Sequence, residues 1–149
     1  MIRIMAIDYG DAHTGVAFSD PTGLLAGRST TIHSWREEVV LSKAAELAAE
    51  NQVDRIVLGF PKNMDGTDSL RADIYQNFAR QLEELTGLPI ILWDERRTTI
   101  DAHNILLSMG QNGRKRKKTV DAMAAVLILE GYLALLRNRG ELTATGPEG

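Results

Sequence analysis

The sequence predicts an α/β domain with a mixed five-stranded sheet, three antiparallel strands followed by two parallel ones, and helices on both faces. Three observations carry this. Short strand-like runs separated by turn signals crowd the first third of the chain. From Trp35 onward apolar residues adopt a helical period, and helical segments alternate with buried strand-like runs. Two of the apolar runs end on carboxylates, Asp8 and the pair Asp94-Glu95.

Residues 2–8 read as a strand buried along its length, and Gly10 allows the chain to turn sharply just after it. Thr14–Ser19 follows as a hairpin partner, across the turn-like Gly10-Asp11-Ala12-His13. Asp20-Pro21-Thr22-Gly23 is a second turn, leading to a weaker strand at Ala26–Ile32. From Trp35 to Asn51, Val39, Val40, Ala44, Leu47 and Ala48 mark a helix, with Ser34 as N-cap and Glu37 completing a capping box. Arg55–Gly59 is a buried strand, and 60–68 a loop rich in Pro, Asn, Asp and Gly. Asp68 or Ser69 caps a helix to about Thr86, with Leu70, Ile74, Phe78, Leu82 and Leu85 on one face and Gly87 as its stop. Pro89–Trp93 is the fifth strand. A third helix runs from Thr98 or Thr99 to near Gly110, a basic loop follows, and Thr119 caps a last helix to about Arg137. One domain over 1–139 is expected, with 140–149 a flexible tail.

Composition narrows the chemistry. The chain has 149 residues, no cysteine and 3 histidines, so disulfides, thiolate zinc sites and thiol nucleophiles are excluded. A bound metal would be a hard, oxygen-liganded ion such as Mg²⁺ or Mn²⁺. No apolar run approaches the ~18 residues of a membrane span, and no signal peptide is visible, so a cytoplasmic protein is expected. Net charge is −3, yet Arg114, Lys115, Arg116, Lys117 and Lys118 form a basic run just before Asp121. Such a run is otherwise a solvated surface.

Asp8 and Glu95 follow strands at the carboxyl edge, where open α/β sheets bind ligands. An acid ending a buried strand costs desolvation unless something binds it. Asp121, placed one or two residues into the last helix, has a second explanation in the positive end of the helix dipole. Asp94 competes with Glu95 on position alone. Carboxylates at three element boundaries suit divalent ions held against a phosphate backbone. Arg96 and Arg97 adjoin Glu95 and, on an extended segment, would point to opposite faces.

Asp8-Tyr9-Gly10, Thr14–Asp20, Gly59–Thr67, Asp94–Thr99 and Val120–Ala125 together closely resemble the YqgF family, also called RuvX, over about residues 2–136. The resemblance implies a ribonuclease H-like fold and a divalent-metal-dependent endonuclease, with Mg²⁺ or Mn²⁺ held by Asp8, Glu95 and Asp121 as the catalytic acids. It prefers Glu95 over Asp94. It favours maturation of the 5′ end of precursor 16S ribosomal RNA over resolution of Holliday junctions in branched DNA. Nucleic-acid contact would fall to Lys62, Asn63, Arg96, Arg97 and Arg114–Lys118. RNA is the favoured partner, ribosomal precursor particles a further one, and a monomer or weak homodimer is expected. Many relatives carry basic residues where this chain has Asp11-Ala12-His13.

Two other classes compete. An actin- or sugar-kinase-like phosphotransferase shares the Asp-x-Gly strand, but 149 residues leave no room for its second domain. A non-catalytic RNA- or ribosome-binding module shares the fold, but has no need of three acids. Trp93 and Trp35 are expected in packing, His33 and His103 in surface or helix roles, and Met64 in anchoring its loop.

Overall fold

The computed structural model describes residues 2–20, 26–60, 69–94 and 113–140, with side chains described at all of these except 69–72, 94 and 113–121. The strands are β1 (Ile4–Asp8), β2 (His13–Ser19), β3 (Ala26–His33), β4 (Arg55–Phe60) and β5 (Ile90–Asp94). The helices are α1 (Glu37–Glu50), α2 (Ser69–Thr86) and α3 (Gly113–Asn138).

The sheet has the order β3-β2-β1-β4-β5. β1 pairs antiparallel with β2 and parallel with β4, β2 pairs antiparallel with β3, and β4 pairs parallel with β5. This is the expected arrangement. β1 lies at the centre, so its apolar residues are covered on both faces: Ile4 through Ile7 are all buried.

Alternation along the strands divides the core in two. Met5, Ile7, Val16, Phe18, Ile56 and Leu58 face α1 and α2, meeting Val40, Leu41, Ala44, Phe78 and Leu82. Ile4, Ala6, Ala17, Val57 and Trp93 face α3, meeting Ala125, Ile128, Leu129, Tyr132, Leu133 and Leu136. Trp93 packs edge-on against Tyr132, with ring centroids 5.8 Å apart, in the core role expected of it.

Several local expectations are corrected. α1 begins at Glu37 with Arg36 in the N-cap position and no side-chain cap; the Ser34 hydroxyl instead accepts the Arg36 N–H at 3.1 Å, so the serine closes a turn before the helix. Val39 is exposed, because the buried stripe of α1 runs through Val40, Leu41, Ala44 and Ala48. Among the described side chains of α2, Tyr75, Phe78 and Leu82 are buried while Ile74 and Leu85 lie exposed; Leu70 falls outside the described side chains. The helix is rotated so that an amphipathic Tyr takes the place expected for Ile74. α2 stops at Gly87, whose φ of 72° is the left-handed value expected of a helix-ending glycine. The largest correction concerns the last helix. It starts at Gly113, not Thr119, so Arg114–Lys118 lie on helical backbone rather than in a loop. The helix expected over 98–110 lies outside the described residues.

Candidate active-site edge

Asp8 is the last residue of β1 and is half-buried. Strand parity assigns it to the side of Ile4 and Ala6, the face covered by α3. Tyr9, one residue on, falls on the opposite face. Its ring stacks on Phe78 at 4.1 Å, and its carbonyl accepts the Tyr75 hydroxyl at 3.0 Å. Burial, followed by the negative charge of Glu37, raises the Tyr9 phenol above its ordinary range. Asp8 is thus followed by an anchored aromatic that holds the end of β1 in place.

The turn after it is tight. Gly10 donates its N–H to the Thr14 hydroxyl at 3.4 Å, and Thr14 is fully buried. A Cβ on Gly10 would overlap the carbonyl oxygen of His13. Gly10 therefore serves close backbone approach, as its place after Asp8 suggests. His13 and His33 meet edge-to-face with ring centroids 5.0 Å apart, across the β2–β3 pairing.

Two hydrogen bonds anchor α3 to the sheet. The Arg55 guanidinium donates to the Tyr132 hydroxyl at 2.8 Å, and Arg55 pairs with Ile4 at the start of β1. The Ala26 N–H donates to the Glu130 carboxylate at 2.8 Å, beside Ser19, whose hydroxyl accepts the Ile4 N–H at 3.0 Å. Both anchors hold the same turn of α3 against the sheet, and Tyr132 there also packs on Trp93, the partner of Gly59. From Tyr132 to Asp121 the helix rises ~16 Å. Asp121 lies about three turns before Tyr132, on the helix that covers the Asp8 face. Asp121 also precedes Ala125 by four residues and Ile128 by seven, on the stripe of α3 that packs against the sheet. It stands about two turns into the helix, beyond the first turn where a carboxylate gains from the dipole. The dipole explanation for this residue therefore loses its ground.

β5 ends at Asp94, paired with Phe60, on the same carboxyl edge and two strands from β1, a separation of ~10 Å. Glu95 follows immediately in sequence and lies outside the described residues, as do Lys62, Asn63, Arg96, Arg97, His103 and Met64. Arg114, Lys115, Arg116, Lys117 and Lys118 are placed by backbone alone. Among the described residues no group of three or more acids and histidines is assembled.

One feature of this edge was missed. Trp35, expected in packing, is 80% exposed. It lines a cleft of about 180 Å³ with Tyr9, Gly10, Asp11, Ile74 and Tyr75. The sequence signal was an aromatic outside the helical stripe that begins at Val40.

The comparisons with known proteins agree with this architecture. The family model described as "RuvX: Holliday junction resolvase" matches residues 2–135. A relative from Bacillus subtilis (strain 168) is 44% identical over 134 residues, covering 89% of this chain and 97% of its own length. One from Carboxydothermus hydrogenoformans is 39% identical over 132 residues, covering 89% and 96%. Both are described as candidate pre-16S rRNA nucleases. Among solved structures, Thermus thermophilus RuvC in complex with a Holliday junction superposes with a TM-score of 0.64 at 8% identity, covering 95% of this chain and 98% of RuvC. Fowlpox virus resolvase with junction DNA gives 0.54 at 14% identity, covering 95% and 100%. At those identities the likeness is one of fold, the ribonuclease H-like fold expected from the sequence. The match across nearly the whole chain, at 39–44% identity to these two relatives, settles the family: this chain belongs to RuvX, also called YqgF.

Proposed function

We propose that this chain is a divalent-metal-dependent endonuclease that hydrolyses phosphodiester bonds, acting in maturation of the 5′ end of precursor 16S ribosomal RNA. What supports the reading is that Asp8 ends the central strand on the face that α3 covers, and that α3 is the helix carrying Asp121. The names of the relatives supply the substrate class.

The donor chemistry fits hard divalent ions. Asp8, Glu95 and Asp121 offer only carboxylate oxygens, and the chain has no cysteine. These three residues would hold Mg²⁺ or Mn²⁺. Such ions, when bound, polarise an attacking water and stabilise the leaving oxygen of a phosphodiester. The remaining work is that of the protein. Asp8 is held by its strand, by the stacked Tyr9 behind it and by the Gly10–Thr14 turn. A carboxylate so fixed needs little reorganisation to bind a cation. Lys62, Asn63, Arg96, Arg97 and the basic turns of α3 would position the phosphate backbone without reading sequence.

The family description favours a second reading, resolution of Holliday junctions. Cleavage of a precursor ribosomal RNA and of a synthetic four-way DNA junction, each with Mg²⁺, Mn²⁺ or EDTA, separates the two. RNA cleavage that EDTA abolishes and that Asp8→Asn loses, with the fold intact, is the expected result. Cleavage of the junction alone would transfer the function to branched DNA. Binding without cleavage of either would indicate a non-catalytic RNA-binding module. Cleavage undiminished in Asp8→Asn would remove Asp8 from the site.

A further inference from the structure

The cleft beside Trp35 is built into the carboxyl edge. Ser34 donates its backbone N–H to the Ala12 carbonyl at 3.0 Å, which ties the start of α1 to the turn that follows Asp8. That bond sets Trp35 next to Gly10 and Asp11. Tyr9, Ile74 and Tyr75 form the apolar walls. Gly10, two residues beyond Asp8, is shared between the cleft and the turn that holds the acid.

A soluble domain gains nothing for its core from a tryptophan left 80% exposed. Here the exposed ring stands beside a second exposed apolar side chain, Ile74, at 45%. The cleft, about 180 Å³, is smaller than the ~300–1,000 Å³ that encloses a whole small molecule. It suits one flat group belonging to a longer ligand. Its rim is negative: Asp11 lines it, and Asp11 and Glu37 both act electrostatically on Tyr9. Carboxylates repel phosphate but accept hydrogen bonds from the exocyclic amino groups of bases.

We infer that this cleft binds one unpaired nucleobase of the substrate strand, stacked on Trp35, while the adjoining phosphates pass along the sheet edge past Asp8. This deepens the nuclease reading and rests on it. Aromatic faces accept any base, so the contact selects an unpaired strand rather than a sequence. A base held in a duplex is stacked on its neighbours and cannot enter without unpairing.

The test is binding in EDTA, where cleavage is stopped. The probes are a short unstructured RNA, the DNA of the same sequence, and each as a perfect duplex. Trp35 fluorescence should be quenched by the single strands and not by the duplexes. Trp93 is 5% exposed, so the emission remaining in Trp35→Ala should not respond. Trp35→Ala should weaken single-strand binding by about 5- to 140-fold, leave duplex binding unchanged, and leave thermal stability unchanged because the side chain is exposed. Trp35→Phe should restore most of the loss. RNA and DNA single strands that bind alike would identify the base as the ligand; RNA alone would add the 2′-hydroxyl. If wild type binds single strands and Trp35→Ala binds them equally, the inference fails and the nuclease reading stands. If wild type binds no nucleic acid of either kind, both fail.

Discussion

Gly10→Ala and Gly87→Ala are both expected to lower stability, Gly10→Ala by more, and to differ sharply in activity. At Gly10 the added Cβ meets backbone, the His13 carbonyl oxygen, which cannot swing aside as a flexible side chain would. The turn between β1 and β2 must open. Overpacking of this kind costs ~1–3 kcal/mol. The buried Thr14 and its bond from the Gly10 N–H are the first casualties, and the carboxylate of Asp8 moves with them. A displacement of ~1 Å at a reacting group can cost ~10²-fold in rate. At Gly87 a Cβ meets nothing within 4 Å, but the φ of 72° penalises any L-residue. That penalty is ~1–2 kcal/mol, offset in part by the ~0.4–1 kcal/mol gained when the unfolded chain loses freedom. For a chain of this size each kcal/mol moves Tm by ~2–4 °C. Urea and thermal unfolding of both variants, beside cleavage of precursor RNA with Mn²⁺, measure the two effects. Gly10→Ala should lose at least ~10²-fold in kcat with a Tm drop of ~2–12 °C. Gly87→Ala, with a Tm drop of no more than a few degrees, should cleave as wild type does. Equal activity in the two variants would refute the argument that the turn after β1 positions Asp8 for the proposed cleavage.

Further consequences follow from the helical setting of the basic run. Arg114, Lys117 and Lys118 precede Asp121 by seven, four and three residues and share its stripe, whereas Lys115 and Arg116 do not. Replacing the first three by Ala should weaken RNA binding and flatten its salt dependence more than replacing the other two; equal effects would show that the stripe does not face the backbone. Tyr132→Phe removes the acceptor of the Arg55 guanidinium and should cost ~1–2 kcal/mol in urea unfolding, at the low end for a charged donor because Arg55 is half-buried. A cost near zero would mean that water replaces the phenol. The raised Tyr9 pKa favours the neutral phenol in the fold, so its contribution is full below the ordinary value of 10.0 and is lost as pH rises through the folded value. Tyr9→Phe keeps the stack on Phe78 and should lose less stability than wild type at alkaline pH; superimposable alkaline limbs would overturn that assignment.

The strands were legible because their signals are local and agree with one another. Ile4–Ile7 is apolar at every position, which only a strand covered on both faces requires, and α1, α2 and α3 do cover it. Asp8 stood out as an acid at the end of such a run. The failures have a common cause. Helix faces on α1 and α2 were read from hydrophobicity alone, but Tyr75 is buried where Ile74 was expected, because its hydroxyl reaches the Tyr9 carbonyl while its ring fills the core. A capping signal at Thr119 predicts the start of α3 there and leaves the five cationic residues before it as a loop. Lys and Arg are good helix formers, and no residue between Gly113 and Thr119 breaks a helix.

The sequence by itself determined the strand order in time, the alternation of strands and helices, the absence of thiol chemistry and the family, since each depends on residue type, spacing and motif alone. Only the tertiary structure decided which face Asp8 shares. Strand parity says that Asp8 and Tyr9 part company, but not which helix lies on which side. That α3 covers the Asp8 face is decided by its packing on Ile4, Ala6, Ala17 and Val57 and by Tyr132 on Arg55 and Glu130 on Ala26, contacts between residues 77 and 104 positions apart. Trp35 is the same case in reverse. No local pattern distinguishes a tryptophan that packs from one left in solvent, and its exposure beside Gly10 depends on how the start of α1 is tied to the turn after β1.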